Sequence, residues 1–346
     1  MDNLTARRRL ERSDRLPMLV HFFLPGEKDL EALARLDPDR DWRELQIGER
    51  AWVLQTYLRL ARAGCPVRLS GTPPRKGIVV FHAKHEGVLR RRPRWLRDVV
   101  LVGIRADNRE PLIADFEVVQ NGRFADGRRS FFIPFWSQPG LVPRDPSRGT
   151  VIRRVAFKGF AQNLHPEFRS PAWREFLAAR GIEWEVDAVP FAGAATDSLG
   201  TDWPDFRDVD LVLAVRPPDR RLWTSKPATK LFNAWRAGVP ALLGPEYAYR
   251  ELRWSALDYL EVGSLEEAKS AVLRLLEQPE LYLAMVENGL ARGAEFAAEA
   301  TVARWVDLLT VKVPALAPLC CSRRVPLPAR AAGRWLRRTA TLRPPR

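Results

Sequence analysis

The stretch KPATKLFNAWRAGVPALLG, residues 226 to 244, combines a helical pattern with a short apolar strand. Its polar residues Lys226, Lys230 and Asn233 stand at i, i+4 and i+7, which places them on one face of a helix. Leucine, alanine and tryptophan side chains occupy the opposite face, and Gly238 ends the helix. An amphipathic helix that leads directly into an apolar strand is a unit of parallel α/β sheets. The stretch therefore predicts an α/β fold.

Lysines at the start of this predicted helix are electrostatically unfavourable. A helix N-terminus carries about half a positive charge, so each cation in the first turn loses ~0.3 to 1 kcal/mol. Arg216, Arg220 and Arg221 stand just upstream, and no acidic residue occurs between Arg220 and Glu246. A bound anion would reverse the cost, and the free helix amides would help to bind it. The pattern predicts a diphosphate site, and a solvated basic face is the alternative.

Strand and helix patterns alternate on both sides of this stretch. Upstream, the periodicity predicts β, α and β in order between residues 17 and 71, with the helix at 41 to 64. Four apolar, β-branched strands are predicted at 77 to 87, 98 to 107, 114 to 122 and 129 to 136. A Pro- and Gly-rich linker follows at 138 to 149, after which the alternation restarts. The order predicts two Rossmann-like, doubly wound α/β domains that face a cleft.

The charge of the chain is unevenly distributed. The protein has 346 residues, a hydrophobic content of 46% and a net charge of +14. The segment from Pro314 to Arg346 contains eight arginines and no acidic residue, so it holds more than half of that charge. With Trp335 and Leu336, its composition suits anionic lipid headgroups, and an unpartnered tail is the alternative. Cations gathered in a tail speak against an extended nucleic-acid surface.

Cysteine usage and hydropathy indicate a compartment. Cys65 is isolated and Cys320 and Cys321 are adjacent, so no disulfide framework is predicted. No apolar run approaches the ~20 residues of a membrane-spanning helix. We expect a cytoplasmic protein, and a peripheral position at the inner face of the membrane stays open because of the basic tail.

The opening stretch also resembles a known family. KLFNAWRAGVPALLG looks like the donor-site helix and strand of GT-B glycosyltransferases, in which an acidic or amide residue precedes an A-x-x-x-G-x-P turn. The likeness covers residues 151 to 310 in the order of elements. TKLFNAWRAGVPALLGP also resembles the T-E-K-L and V-P-V-x-x-G-P pattern of α-1,3-fucosyltransferases, in which a lysine contacts the nucleotide diphosphate. This second resemblance assigns that role to Lys230, although Thr229 stands where that family has its glutamate.

One departure from the family pattern bears on the chemistry. The E-x7-E pair of the retaining family 4 enzymes falls on Ser225 and Asn233, so both carboxylates are missing. The usual contact to the ribose and the stereochemical outcome therefore stay open.

The resemblance implies a metal-independent glycosyltransferase of the hexosyltransferase class, with a nucleotide-diphosphate sugar as co-substrate and no cofactor. The expected acceptor is a glycan, a lipid-linked glycan or another hydroxyl compound, in polysaccharide or glycoconjugate synthesis. We predict an acceptor domain at residues 1 to 146, a donor domain at 147 to 312 and a flexible basic tail at 313 to 346. The predicted donor-binding residues are Gly159, Arg216, Lys226, Thr229, Lys230, Asn233 and Glu246. For Gly159 a tight turn, and for Glu246 a helix cap, is the alternative role.

The loop after the strand IVVFH offers a base for the acceptor. A sugar hydroxyl loses its proton as it attacks, and a histidine or carboxylate within hydrogen-bond reach is the usual proton acceptor. We predict that His85 and Glu86 are catalytic, and that His82, Gln120 and Asn121 bind the acceptor. Incidental surface histidines are the alternative, and Glu117 competes as base. The spacing of the loop residues fits no metal site.

Two other functions remain compatible with the sequence. One is a basic protein that binds nucleic acid or an anionic membrane, as the net charge suggests. The other is a GT-B protein that binds nucleotide sugars without catalysis, because both carboxylates of the E-x7-E pair are absent.

Overall fold

The computed structural model describes residues 19–46, 48–91, 98–190, 201–218 and 225–319, with residues 329, 331, 332 and 335. The chain divides into two compact units. The first unit comprises the described residues of Met1–Asp41, Leu45–Pro134 and Thr301–Arg346, and the second comprises those of Trp42–Glu44 and Phe135–Ala300. The change of unit at Pro134 lies upstream of the predicted boundary at 146/147. Residues 301 to 312, predicted for the second domain, group with the first unit.

The first unit contains a fully parallel six-stranded sheet. Its strands are β1 (Val20–Phe23), β2 (Val67–Ser70), β3 (Lys76–His82), β4 (Asp98–Ile104), β5 (Phe116–Val119) and β6 (Ser130–Phe132). They lie in the order β2-β1-β3-β4-β5-β6, and every neighbouring pair is parallel. The sequence predicted these strands, which the structure makes shorter at their ends.

Short helices connect the strands of the first unit. They are α1 (Leu30–Ala34), α2 (Gln55–Arg62) and α3 (Glu86–Arg90). The single helix predicted from 41 to 64 is wrong, because this region contains a 3-10 helix at Trp42–Leu45, a π-helix at Arg50–Leu54 and then α2. Gly48 has φ +60°, a left-handed conformation that a continuous right-handed helix does not contain.

The second unit contains a parallel five-stranded sheet. Its strands are β7 (Arg154–Phe160), β8 (Glu183–Val189), β9 (Leu211–Ala214), β10 (Ala241–Leu243) and β11 (Leu260–Glu261), in the order β11-β10-β9-β7-β8. Its helices are α4 (Pro171–Ala178), α5 (Thr229–Ala237), α6 (Tyr247–Arg250), α7 (Leu265–Glu277) and α8 (Pro279–Gly293). The chain continues with α9 (Ala298–Asp307) and α10 (Val313–Leu316). No helix of the described residues is long and apolar enough to cross a bilayer.

Both sheets have the same topology. In each, the first strand of the unit lies between the second and the third, so the order of strands reverses between β1 and β3 and again between β7 and β9. In open α/β sheets, ligands bind outside the carboxyl ends of the strands at such a switch point. The predicted doubly wound α/β fold is confirmed for each unit.

The central strands of the second sheet are covered on both faces. Phe157 and Leu213 pack on one side with residues of α4, α7 and α8. Ala156 and Val212 pack on the other side with α5, which buries the leucine, alanine and tryptophan face expected of it. The apolar face of α5 thus determines which side of the helix is left for polar contacts.

A buried carboxylate holds the predicted linker to this sheet. Asp210 is fully buried and accepts hydrogen bonds from the guanidinium groups of Arg144 and Arg148 and from the backbone amides of Arg153 and Arg154. Burial alone would raise the pKa of Asp210, but the hydrogen bonds from Arg148, the Arg153 amide and Arg144 lower it overall. The segment at 138 to 149 is therefore part of the second unit.

We predict that Asp210→Ala lowers the free energy of unfolding by about 3 to 5 kcal/mol, because the buried Arg144 and the part-buried Arg148 lose their counterion. Urea unfolding measures this change in the free energy of unfolding. Since the folded pKa of Asp210 lies below its unfolded value of 3.8, its contribution is complete above that pH and is lost on acidification. Glu183→Ala, which removes an exposed partner of Arg154, is the control and should cost below about 1 kcal/mol. Equal losses in both variants would contradict this role of Asp210.

Candidate functional site

Four of the predicted donor residues meet at the switch point of the second sheet. Gly159 lies at the carboxyl end of β7, and Arg216 follows β9. Lys230 is in the first turn of α5, and Glu246 follows β10. A direct contact joins Arg216 to Glu246, and Lys230 lies against Gly159. The loops after three neighbouring strands thus contribute to one polar cluster.

Gly159 makes room for the Lys230 side chain. The glycine has φ +150°, and a Cβ added there would lie 2.6 Å from Lys230 Nζ. Any other residue would therefore push the ammonium group from its position. A tight turn was the alternative role for this glycine, and the close approach of Lys230 is the additional constraint that the structure reveals.

The Lys230 ammonium contacts a backbone carbonyl and an aromatic ring. Its Nζ donates a hydrogen bond to the Lys158 carbonyl oxygen and lies 5.2 Å from the centre of the Phe157 ring. Among the described residues, Lys230 forms no ion pair with a carboxylate. Burial and the nearby Arg216 charge lower the pKa of Lys230 to about 7, although Glu246 opposes this. A cation in this state gains most from an added anion.

The side chains of Glu246 and Asn163 hold Arg216 in place. Its Nε donates to both carboxylate oxygens of Glu246 at 3.0 Å, and Nη1 donates to Asn163 Oδ1. Glu246 is 1% exposed, and burial raises its pKa while the Arg216 charge opposes the rise. Glu246 precedes α6, but its side chain does not cap that helix. The structure therefore gives Glu246 a contact to Arg216, in place of the helix cap that was the alternative.

The prediction that Lys226 lies on the helix is wrong. The helix α5 begins at Thr229 with Ala228 as its N-cap residue, so Lys226 precedes it. Pro227 explains the shift, because the residue before a proline is disfavoured in the α conformation. Lys226 is still close enough to lower the pKa of Glu246. The N-cap residue Ala228 has no polar side chain to cap α5, and the first amides of the helix, at Thr229 and Lys230, have no intrahelical acceptors.

Asn233 has a contact that the sequence did not predict. Its Oδ1 accepts a hydrogen bond from the Gln138 backbone amide at 2.8 Å, and one turn later Arg236 donates to Ser137 Oγ at 2.5 Å. The residue at the second E-x7-E position thus holds the segment that follows Pro134. Arg220 and Arg221 lie outside the described residues.

The loop after β3 lies at the switch point of the first sheet. His82 is buried, and its Nδ1 accepts a hydrogen bond from the Lys84 amide at 3.2 Å. Burial lowers the pKa of His82 to about 4. His85 Nε2 lies 3.3 Å from Oε1 of Glu49, and Glu86 Oε1 accepts from the Ile113 amide at 2.9 Å. Sequence reasoning missed Glu49, because no motif links it to this loop.

The polar residues at the end of β5 are engaged within the first unit. Gln120 is buried and donates to the carbonyl oxygen of Ala106, which has φ +49°. Asn121 is buried at the start of a short 3-10 helix. The competing base, Glu117, is also buried and accepts hydrogen bonds from Arg105 and Ser130. Glu117 and Gln120 therefore stabilise this sheet edge.

Among the described residues, no group of three or more His, Cys, Asp and Glu side chains is placed to hold a metal ion.

Comparison with solved structures identifies the fold. HepE from Anabaena, solved with UDP-glucose and with UDP and glucose, has a TM-score of 0.50 and 14% identity over 84% of this chain and 98% of HepE. The chain has the GT-B glycosyltransferase fold. The GtfA/B complex matches with a TM-score of 0.46 and 13% identity over 75% of this chain, which spans 60% of that protein. No family model and no curated protein matches the sequence. The resemblance to α-1,3-fucosyltransferases stays a prediction.

We predict that Lys230→Met stabilises the unliganded GT-B chain by about 1 to 3 kcal/mol at about pH 6.5, since it removes a buried cation without a counterion. Lys230 has a pKa of about 7 in the folded chain and 10.5 in the unfolded chain. Its penalty is complete below pH 7 and disappears towards pH 10.5, because the folded state loses the proton first. Urea unfolding at about pH 6.5 and 9.5 should show a shrinking gain; an equal gain at both would refute the assignment.

Proposed function

We propose that this protein is a glycosyltransferase that moves a sugar from a nucleotide-diphosphate sugar to an acceptor hydroxyl. The observation that carries the proposal is the Lys230 ammonium, which is buried beside Arg216 at an uncapped helix start and forms no ion pair with a described carboxylate. A diphosphate supplies the missing negative charge. The switch point of a doubly wound sheet is also where such ligands bind.

The balance of charge at this switch point favours a strongly anionic ligand. Arg216, Lys226 and Lys230 face the Glu246 carboxylate, and Asp187, the other carboxylate that acts on Lys230, is already paired with Lys158. In the proposed reaction these cations stabilise the charge that develops on the departing diphosphate. Metal independence is part of the proposal, because the three side chains can do what a divalent cation does for a leaving phosphate. No cofactor is required for a displacement of this kind.

The acceptor is proposed to bind to the first unit, near the loop after β3. Its hydroxyl group would lose a proton to His85 as it attacks the sugar. The acceptor class is a glycan, a lipid-linked glycan or another hydroxyl compound, and the setting is cell-surface polysaccharide or glycoconjugate synthesis. The HepE complexes with UDP-glucose support a hexose donor. We propose a cytoplasmic location, with the basic tail, most of it outside the described residues, available for anionic lipids.

One observation favours a second candidate function. Asn233 stands where retaining relatives have a glutamate, and its side chain holds the Gln138 amide. A GT-B protein that binds a nucleotide sugar without transferring it would show this change. Binding with no turnover of any donor or acceptor would favour this candidate.

A thermal-shift screen of the full-length chain tests the proposed ligand class. The screen uses UDP, GDP, ADP and CDP and their hexose derivatives. We expect one nucleotide to raise Tm, because a ligand at 100 times its Kd stabilises the folded state by about 2.7 kcal/mol. The responding base identifies the donor. No shift with any of these compounds would refute the proposed function, and loss of all ligand binding on deletion of residues 314 to 346 would favour a basic surface-binding protein.

We predict that Lys230→Met weakens binding of the responding nucleotide diphosphate at least tenfold, about 1.4 kcal/mol, while the fold stays intact. Isothermal titration calorimetry measures this. Lys269→Met is the matched control, because that lysine pairs with Glu266 on α7, away from the first turn of α5. A stabilised fold that loses binding is the expected signature of a residue kept for function. Unchanged affinity would exclude Lys230 from the donor site.

A further inference from the structure

A histidine and a carboxylate form a pair at the switch point of the first sheet. His85 Nε2 lies 3.3 Å from Glu49 Oε1, and Lys84 Nζ lies 2.8 Å from the same oxygen. The side chains of His85 and Glu49 are 14% and 20% exposed, so both are largely shielded from water. The Phe23 ring packs edge-on against the imidazole at 6.2 Å. The pair is therefore held on one side by an apolar ring.

The ionisation state of Glu49 determines which nitrogen of the His85 imidazole carries the proton. Hydrogen bonds from His85 and Lys84 lower the pKa of Glu49 well below its usual value, although burial opposes them. An ionised carboxylate only accepts hydrogen bonds, so Nε2 of His85 must be the donor. In the neutral imidazole the other nitrogen, Nδ1, then has a free lone pair.

The Nδ1 atom of His85 has no hydrogen-bond partner among the described residues and is buried. A buried polar atom without a partner destabilises the protein, and a hydroxyl donor would remove that penalty. Water does not reach this nitrogen in the unliganded protein, so an acceptor must displace the side chains that cover it. Contacts of catalytic groups often form only when the substrate binds.

The neighbouring candidates for the base are already engaged. His82 Nδ1 accepts the Lys84 amide, and a pKa of about 4 makes it a weak base near neutral pH. Glu86 accepts the Ile113 amide. In the described part of this loop, Nδ1 of His85 is therefore the one ring nitrogen that carries no proton and has no hydrogen-bond partner.

We propose that Glu49 is a positioning residue that holds the His85 imidazole with a proton on Nε2, so that Nδ1 accepts the proton of the acceptor hydroxyl. This inference rests on the proposed function. As the hydroxyl oxygen forms its bond to the anomeric carbon, its proton passes to Nδ1. The bond from that carbon to the diphosphate breaks, and its electron pair leaves with the diphosphate. The imidazolium lies beside the Glu49 carboxylate and later releases the proton to solvent.

The proposal is tested by determining the tautomer of the His85 imidazole. Long-range nitrogen–proton NMR spectra of the ¹⁵N-labelled full-length chain resolve its four histidines, and His85→Gln assigns the signal of interest. We expect a single tautomer for His85 in the wild type, protonated on Nε2. Glu49→Gln should give a mixture with protonated Nδ1, because an amide can donate as well as accept. Glu49→Asp should restore the single tautomer.

Glu27→Gln is the matched control. Glu27 pairs with Arg50 in the same unit, and its side-chain exposure of 23% is close to that of Glu49. This variant should leave the His85 tautomer unchanged. Protonated Nδ1 in the wild type, or a Glu49→Gln spectrum identical to the wild type, would overturn the proposal.

A kinetic measurement separates this inference from the proposed function. With the donor found in the thermal-shift screen and glucose or glycerol as probe acceptor, Glu49→Gln should lower kcat about 100-fold. The donor KM should change less than about twofold, since the structure gives Glu49 no part in the donor site. A raised KM with unchanged kcat would overturn the role of Glu49. A wild type that binds no nucleotide refutes the function instead, and leaves the tautomer result standing.

Discussion

The reversal of strand order between β7 and β9 is the constraint on which the candidate donor site depends. The connection after β7 leads to β8 on one side of the sheet and the connection after β9 leads to β10 on the other, so the loops at their carboxyl ends separate. Gly159, Arg216 and the start of α5 all lie at this point. Because β9 and β10 are buried on both faces, the charged residues Arg216 and Glu246 follow these strands and do not lie within them.

The charges at the switch point of the second sheet favour the binding of an anion and lower the stability of the protein without it. The Lys230 ammonium has a backbone carbonyl and an aromatic ring as neighbours, while Glu246 is paired with Arg216 and Asp187 is paired with Lys158. In the unliganded protein this arrangement raises the free energy of the folded state, as the lowered pKa of Lys230 indicates. An anion between the cations removes the penalty. By contrast, Arg50 and Lys84 of the first unit have carboxylate partners, Glu27 and Glu49.

Several structural features could be predicted from the sequence because they depend on residues close together in the chain. Apolar strand segments, the buried face of α5 and the glycine at Gly238 all follow from periodicity and backbone preference within a few residues. The same local rule corrects the helix start, because Pro227 disfavours the helical conformation at Lys226. The interruption at Gly48 also has a local cause, but the helical periodicity around it concealed the positive φ.

The sequence by itself determined the α/β class, the doubly wound alternation and the basic cluster around Lys230, since each depends on residues near one another in the chain. Only the tertiary structure decided what those residues contact. It paired Glu246 with Arg216, turned Asn233 to the Gln138 amide, and brought Glu49 to His85. These contacts join residues far apart in sequence, and no local spacing encodes them. The physical reason is that parallel strands place loops that are distant in sequence at the same edge of the sheet. There, the tertiary packing determines which partner lies beside each buried charge.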